Sequence, residues 1–323
     1  MGELLPRVLL LAGGVGALYF GAEWLIRGAA ALAQRFGVPP IVVGLTVVSL
    51  GTSAPELAVS IRAALGGASD IAIGNVLGSN LANVGLVLGL TALIQPLTVA
   101  ARVVQREIPI MIGITLLLYP LILDLEVSRL DGVVLVGLLV AYLLYVMRAS
   151  KEEPEAVLEE FSEFIEEFPD GKPTTRTTLR DLGLILVGLS ALVIGGNAIV
   201  ASAIYIASAL GVSEIVIGMT VVAVGTSLPE LATSIVAGVR GEADIAVGNI
   251  IGSNIFNIGG VLGVTSIVAP IPVGSDVPHL HLLAVLFLSL LVFPFAKTSY
   301  RVQRLEGTLL CLTYVGLGLW IFW

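Results

Sequence analysis

Two hexapeptides, GTSAPE at 51–56 and GTSLPE at 225–230, place a carboxylate, Glu56 and Glu230, inside long apolar stretches. Each precedes a GNxxGSNxxN run, at 74–83 and 248–257. Proline lacks a backbone donor and clashes with the preceding turn, so a helix breaks there and frees carbonyls at 48–52 and 222–226. Irregular backbone is tolerated in a bilayer where it lines a cavity or lies buried in protein. A carboxylate at the centre of a membrane helix costs about 2.5–3.5 kcal/mol on insertion scales. Two of them near the midplane also repel. Protonating one relieves the repulsion, and so does a cation between them. The donors available are carboxylates, hydroxyls, amide oxygens and carbonyls, with no Cys and no His. Such a set suits a hard cation: Ca²⁺, which takes about 6–8 oxygens, or Na⁺. Ser79 and Asn83 are four apart and share a helix face, as do Ser253 and Asn257. Glycines 74, 78, 248 and 252 permit close helix approach, which would set that face against the Glu of the preceding span. The bland alternative is a protonated glutamate pair that locks helices together, which would not need the chain break in both copies.

These residues need elements to hold them. The chain has 323 residues, 57% of them hydrophobic and 12% charged, against about 25% charged in soluble domains. Apolar runs long enough to cross a bilayer recur from end to end, which excludes a large soluble domain. Ten spans are read, at 8–34, 39–66, 70–94, 105–124, 130–148, 180–210, 214–240, 244–268, 280–297 and 303–322. The one long polar interval, 149–179, separates five spans from five. It carries nine acidic residues between 152 and 170, the main source of the net charge of −8, which therefore says little about nucleic acid. Shifting the chain by 174 residues aligns 51–83 with 225–257, with 20 of 33 positions identical. Five spans is an odd number, so the second unit lies inverted relative to the first. The expected fold is an all-α polytopic membrane protein of ten transmembrane helices in two inverted five-helix repeats. The first repeat is 1–148 (motif 44–83), the acidic loop 149–179 is cytoplasmic, and the second repeat is 180–323 (motif 218–257). The Lys/Arg bias of the loops then places both termini outside.

GTSAPE…GNVLGSNLAN and GTSLPE…GNIIGSNIFN resemble the two α-repeats of the calcium/cation antiporter superfamily, and within it the prokaryotic Na⁺/Ca²⁺ exchangers. The resemblance covers almost the whole chain and implies a prokaryotic plasma membrane. It implies a core of spans 2, 3, 7 and 8 around four cation sites, with spans 1 and 6 sliding across it to alternate access. It implies a central Ca²⁺ site at Glu56 and Glu230 with the carbonyls of Thr52 and Thr226. Flanking Na⁺ sites fall to Ser53, Ser79, Ser227 and Ser253, the carbonyl of Ala223, and its repeat mate Ser49. Asn83 and Asn257 complete the centre. Relatives often have Asp at the second of these positions and Ala at that of Ser49. The implied function is electrogenic Na⁺/Ca²⁺ antiport, not enzymatic chemistry. H⁺/Ca²⁺ antiport by the same glutamates is the alternative, and a channel or a scaffold is the more distant one. The expected partners are inorganic cations and the lipid bilayer, with no nucleic acid, no required protein and no cofactor beyond transported Ca²⁺ and Na⁺.

Other residues carry structural expectations. Glu23 and Arg27, four apart, read as an ion pair. Asp70 and Asp244 read as helix N-caps, His279 and His281 as surface residues, and Cys311 as an unpaired thiol in an apolar run. Apolar residues at 157, 158, 161, 164, 165 and 168 have helical spacing, giving an amphipathic cytoplasmic helix.

Overall fold

The computed structural model describes residues 4–36, 38–149, 175–210 and 223–322. The expected amphipathic helix at 157–168 and the first part of the seventh expected span lie outside these residues. The described helices are α1 (Leu4–Phe36), α2 (Ile41–Thr52), α3 (Ala54–Leu65), α4 (Ser69–Ile94), α5 (Val103–Leu121) and α6 (Arg129–Ala149). After the acidic interval come α7 (Thr175–Ala209), α8 (Leu228–Val239), α9 (Ala243–Val268), α10 (Val277–Lys297) and α11 (Arg304–Phe322). Among the described residues seven helices are long and apolar enough to cross a membrane, or eight with α2 and α3 counted as one span bent by 42°. Many large apolar side chains are exposed along the helices, as lipid-facing surfaces require.

α1 and α7 run antiparallel along most of their length because glycines seven apart clear the interface. A Cβ added to Gly14 would meet the Gly195 carbonyl at 2.9 Å, one on Gly21 the Gly188 carbonyl at 2.9 Å, and one on Gly28 the Asp181 carbonyl at 2.7 Å. Small residues at such spacing let backbones touch, which is what holds helices together where lipid offers no hydrophobic drive. α2 crosses α9 just as tightly: a Cβ on Gly248 would meet the Ile41 carbonyl at 2.9 Å, and one on Gly252 the Leu45 Cα at 2.8 Å. This corrects the expected contact. The near neighbours of Gly248 and Gly252 lie in α2, 207 residues earlier (Ile41 and Leu45), and not in the preceding span.

Tight turns return α3 into α4 and α8 into α9. Gly67 and Gly241 sit at φ 76° and 84°, where a side chain would be strained. The N–H groups of Ala68 and Glu242 bond back to Ala63 (2.8 Å) and Ala237 (2.9 Å), closing each helix end. Because each turn finishes early, the caps fall on Ala68 and Glu242, and Asp70 and Asp244 lie inside the first turn of α4 and α9. They are not N-caps, as the sequence led us to expect; their charges face the positive ends of the helix dipoles.

Two short antiparallel ribbons staple the loops. β1 (Leu97–Thr98) pairs with β4 (Arg301–Val302), and β2 (Glu126–Val127) with β3 (Ile271–Pro272). Each ribbon joins two loops that the expected topology puts on one side of the membrane. Helical regularity loosens into π-type turns at Asn83–Val87 and Asn257–Leu262, and again at Val103–Glu107 and Val277–His281.

Candidate cation site

The break after α2 is local chemistry. Pro55 has no N–H, so the Gly51 carbonyl loses its regular helical partner. Ser53 sits at φ −84°, ψ 3°, and the ladder resumes with the Leu57 N–H on the Ser53 carbonyl at 3.2 Å. The second copy repeats this: Ser227 lies at φ −89°, ψ 7°, and the Leu231 N–H reaches its carbonyl at 3.0 Å. Each break starts a new helix whose first turn carries the glutamate, Glu56 on α3 and Glu230 on α8.

Both glutamates are fully buried and lie within electrostatic reach of each other. Ser53 donates its hydroxyl to Glu230 Oε1 at 3.2 Å, across 177 residues of sequence. Neither carboxylate oxygen of Glu56 has a protein hydrogen bond, nor does Glu230 Oε2. The same is true of the hydroxyls of Ser79, Ser227 and Ser253, of Asn257 Oδ1 and of both amide atoms of Asn83, all buried. Buried polar atoms are paired in the great majority of cases, so such a cluster of unmet oxygens calls for a partner other than protein. Among the described residues no three His, Cys, Asp or Glu side chains cluster. Among the described residues, Glu56 and Glu230 are the two buried carboxylates of these breaks, and Ser53 links them.

The other expected positions divide. The Thr52 hydroxyl is committed to Asn249 Oδ1 at 3.1 Å, and Thr226 is half-buried in the matching break. Ala223 belongs to the short helical turn Ala223–Gly225 leading into that break. The Ser49 hydroxyl bonds the carbonyls of its own helix, Leu45 at 2.9 Å and Thr46 at 3.2 Å, and abuts Gly252.

A supporting layer escaped the sequence reading. Asn75 donates to the Glu56 carbonyl (3.1 Å) and the Ser60 hydroxyl (3.0 Å), and Asn249 donates to Ser234 (3.1 Å) while accepting from Thr52. Asn80 donates to the Asn254 carbonyl at 3.2 Å and accepts from Asn257 at 3.0 Å. A signal was available: Ser60/Ser234, Asn75/Asn249 and Asn80/Asn254 are all identical between the repeats.

Two apolar helix hairpins, each broken just before a buried glutamate, define a polytopic membrane protein. The chain belongs to the sodium/calcium exchanger protein family, whose model matches residues 7–148 and 181–323. It is 33% identical to the sodium/calcium exchanger MaX1 of Methanosarcina acetivorans, over 98% of each chain. It is 38% identical to the inner membrane protein YrbG of Escherichia coli, over 83% of this chain and 81% of that one. Solved structures of the sodium-calcium exchanger NCX_Mj superpose with a TM-score of 0.82 at 34% identity, covering 97% of both chains.

Proposed function

We propose that this protein is a secondary antiporter that exchanges Na⁺ for Ca²⁺ by alternating access, through ten helices in two inverted repeats with both termini extracytoplasmic. The cluster of buried, unpartnered oxygens around Glu56 and Glu230 carries this reading. Ca²⁺ takes the two carboxylates together with the carbonyls of Thr52 and Thr226. Na⁺ takes flanking places at Ser53 and Ser79, and at Ser227 and Ser253 with the Ala223 carbonyl. Asn83 and Asn257 close the centre with neutral groups. Ser49, whose hydroxyl is held by its own helix, contributes packing at the α2–α9 crossing more than a ligand.

Charge dictates the coupling. Two ionised glutamates carry −2, matched by one Ca²⁺ or two Na⁺. A third Na⁺ in a neutral flanking place makes each cycle move net charge. A loaded centre is close to neutral, whereas an empty one strands two carboxylates in a low-dielectric interior. The empty protein therefore resists switching sides, and exchange is obligatory. Permeation through an open pore is disfavoured because Glu56 and Glu230 are covered by protein on all sides.

Ion-substituted proteoliposomes test the reading. An outward Na⁺ gradient is expected to drive uptake of radiolabelled Ca²⁺, faster when the interior is clamped positive, because three Na⁺ leaving for one Ca²⁺ entering carry net positive charge out. Uptake driven equally by a pH jump with no Na⁺ present would transfer the coupling to protons. Current without a counter-ion would make the protein a channel.

A further inference from the structure

Asn257 lies at the start of the π-type turn in α9, on which α3 with Glu56 packs, and is fully buried. An amide offers an oxygen on one side and a nitrogen on the other, and only the oxygen can bind a cation. Which one faces the centre is decided by neighbours. The chain of constraint begins at a main-chain carbonyl. The Asn254 carbonyl can only accept, so Asn80 must present Nδ2 to it, at 3.2 Å. Asn80 Oδ1 then points the other way and can only accept, so Asn257 must present its own Nδ2, at 3.0 Å. That leaves Asn257 Oδ1 turned away from Asn80, buried and without a protein partner. Turning Asn80 over would set two carbonyl oxygens against each other.

The repeat mates lack this arrangement. Asn254, the mate of Asn80, donates back to Ile250 in its own helix at 2.8 Å. Asn83, the mate of Asn257, has neither amide atom engaged by protein. Only one of the two central amides is keyed.

Resting on the cation reading above, we propose that Asn80 is a positioning residue that locks the Asn257 amide with its oxygen toward the Glu56–Glu230 centre. Asn257 is thereby a fixed neutral oxygen ligand, whereas Asn83 takes its orientation from the ion. Asn80 itself touches no ion.

The test is a double-mutant cycle on the purified full-length protein, reading Ca²⁺ affinity by calorimetry in detergent. A carboxylate has two equivalent oxygens and needs no keying, and the one nearer Asn80 would face the acceptor Oδ1, so in Asn257→Asp losing Asn80 removes no favourable contact. Asn80→Ala is expected to weaken Ca²⁺ about tenfold in the unaltered background, and less than about twofold in the Asn257→Asp background. Asn80→Leu, close in volume, is expected to repeat the Ala result and stands in for it if the smaller side chain yields no monodisperse protein. Equal loss in both backgrounds would show that Asn80 acts only as a strut to Asn254 and would overturn the proposal, as would no loss in either. Absence of Ca²⁺ binding by the unaltered protein would overturn the parent cation reading, and the amide assignment with it.

Discussion

Glu56 and Glu107 are both carboxylates buried completely in apolar helices, and the fold treats them in opposite ways. Glu107 ends a π-type turn in α5 and is met on both oxygens: Tyr142 of α6 donates at 2.9 Å and Arg102 Nε at 3.4 Å. Glu56 is met on neither. Glu230 lies between, with one oxygen held by Ser53 and the other open. An unpaired buried charge is expensive, and on the function proposed above the partner missing at Glu56 and at one oxygen of Glu230 is an ion. Residue type and burial do not distinguish Glu107 from these two glutamates. Unmet hydrogen-bonding capacity does.

The strongest way to break that contrast is to neutralise the open pair. Glu56→Gln and Glu230→Gln are each expected to bring Na⁺-driven Ca²⁺ uptake to the level of protein-free vesicles, with the variants still monodisperse in detergent. Uptake near the wild-type rate in either would show that the unmet oxygens are not the site. The paired carboxylate should fail differently. Tyr142→Phe leaves Glu107 Oε2 without its donor and is expected to cost about 1–3 kcal/mol of stability. Ca²⁺ affinity of the folded protein should stay unchanged, measured by calorimetry beside thermal unfolding. A large loss of affinity with little loss of stability would move Glu107 into the transport machinery.

The contrast also explains what could be read from the sequence. Glu56 and Glu230 stand out because the same letters recur 174 residues apart, and a repeated costly residue is hard to explain as packing. The helix breaks follow from proline chemistry, and the shared faces of Ser79 with Asn83 and of Ser253 with Asn257 from helix period. Glu107 is invisible to that logic, since its repeat mate is His281 and its partner Tyr142 is 35 residues away in another helix. The amide network was missed for a different reason. Asn75, Asn80 and their mates were in plain view as letters, but which way an amide points depends on carbonyls supplied by other helices. Asp70 and Asp244 lie two residues past the caps, Ala68 and Glu242, because the turns at Gly67 and Gly241 close the preceding helices early.

Glu23 sharpens the comparison from the side of the α1–α7 pair. Its expected partner Arg27 is there at 2.5 Å, but Arg240, 217 residues away at the end of α8, grips both of its oxygens at 2.6 and 3.0 Å. Near this end Arg35 also pairs with Asp181 at 2.5 Å, whereas toward the far end Arg7 only covers the Tyr205 ring at 4.9 Å. The arginines on Glu23 are half exposed, at 53% and 50%, so the pairs are screened. Glu23→Gln is expected to lower stability at low ionic strength and measurably less in high salt. Thermal unfolding at the two salt concentrations checks it, and a salt-independent loss would mean that the carboxylate acts by packing.

The smallest effect concerns an unpaired carboxylate outside the spans. Glu242, at the cap before α9, is held at a pKa of about 6 rather than 4.5, first by burial and then by the nearby Asp244. The sign follows from linkage. Its folded pKa lies above the unfolded one, so the neutral form favours folding below pH 4.5. That advantage is lost as pH climbs to about 6, and above it the charge is a constant penalty. Allowing for partial solvent screening, the penalty is about 1 kcal/mol. Glu242→Gln is therefore expected to raise stability by about that amount at pH 7.5 and to leave it unchanged at pH 4. A melt comparison at the two pH values reads the difference directly. A stabilisation that persists at pH 4 would show that removing the charge is not its cause. If Ca²⁺ affinity moves with it, the boundary between the carboxylates proposed to bind the ion and the rest extends to this loop.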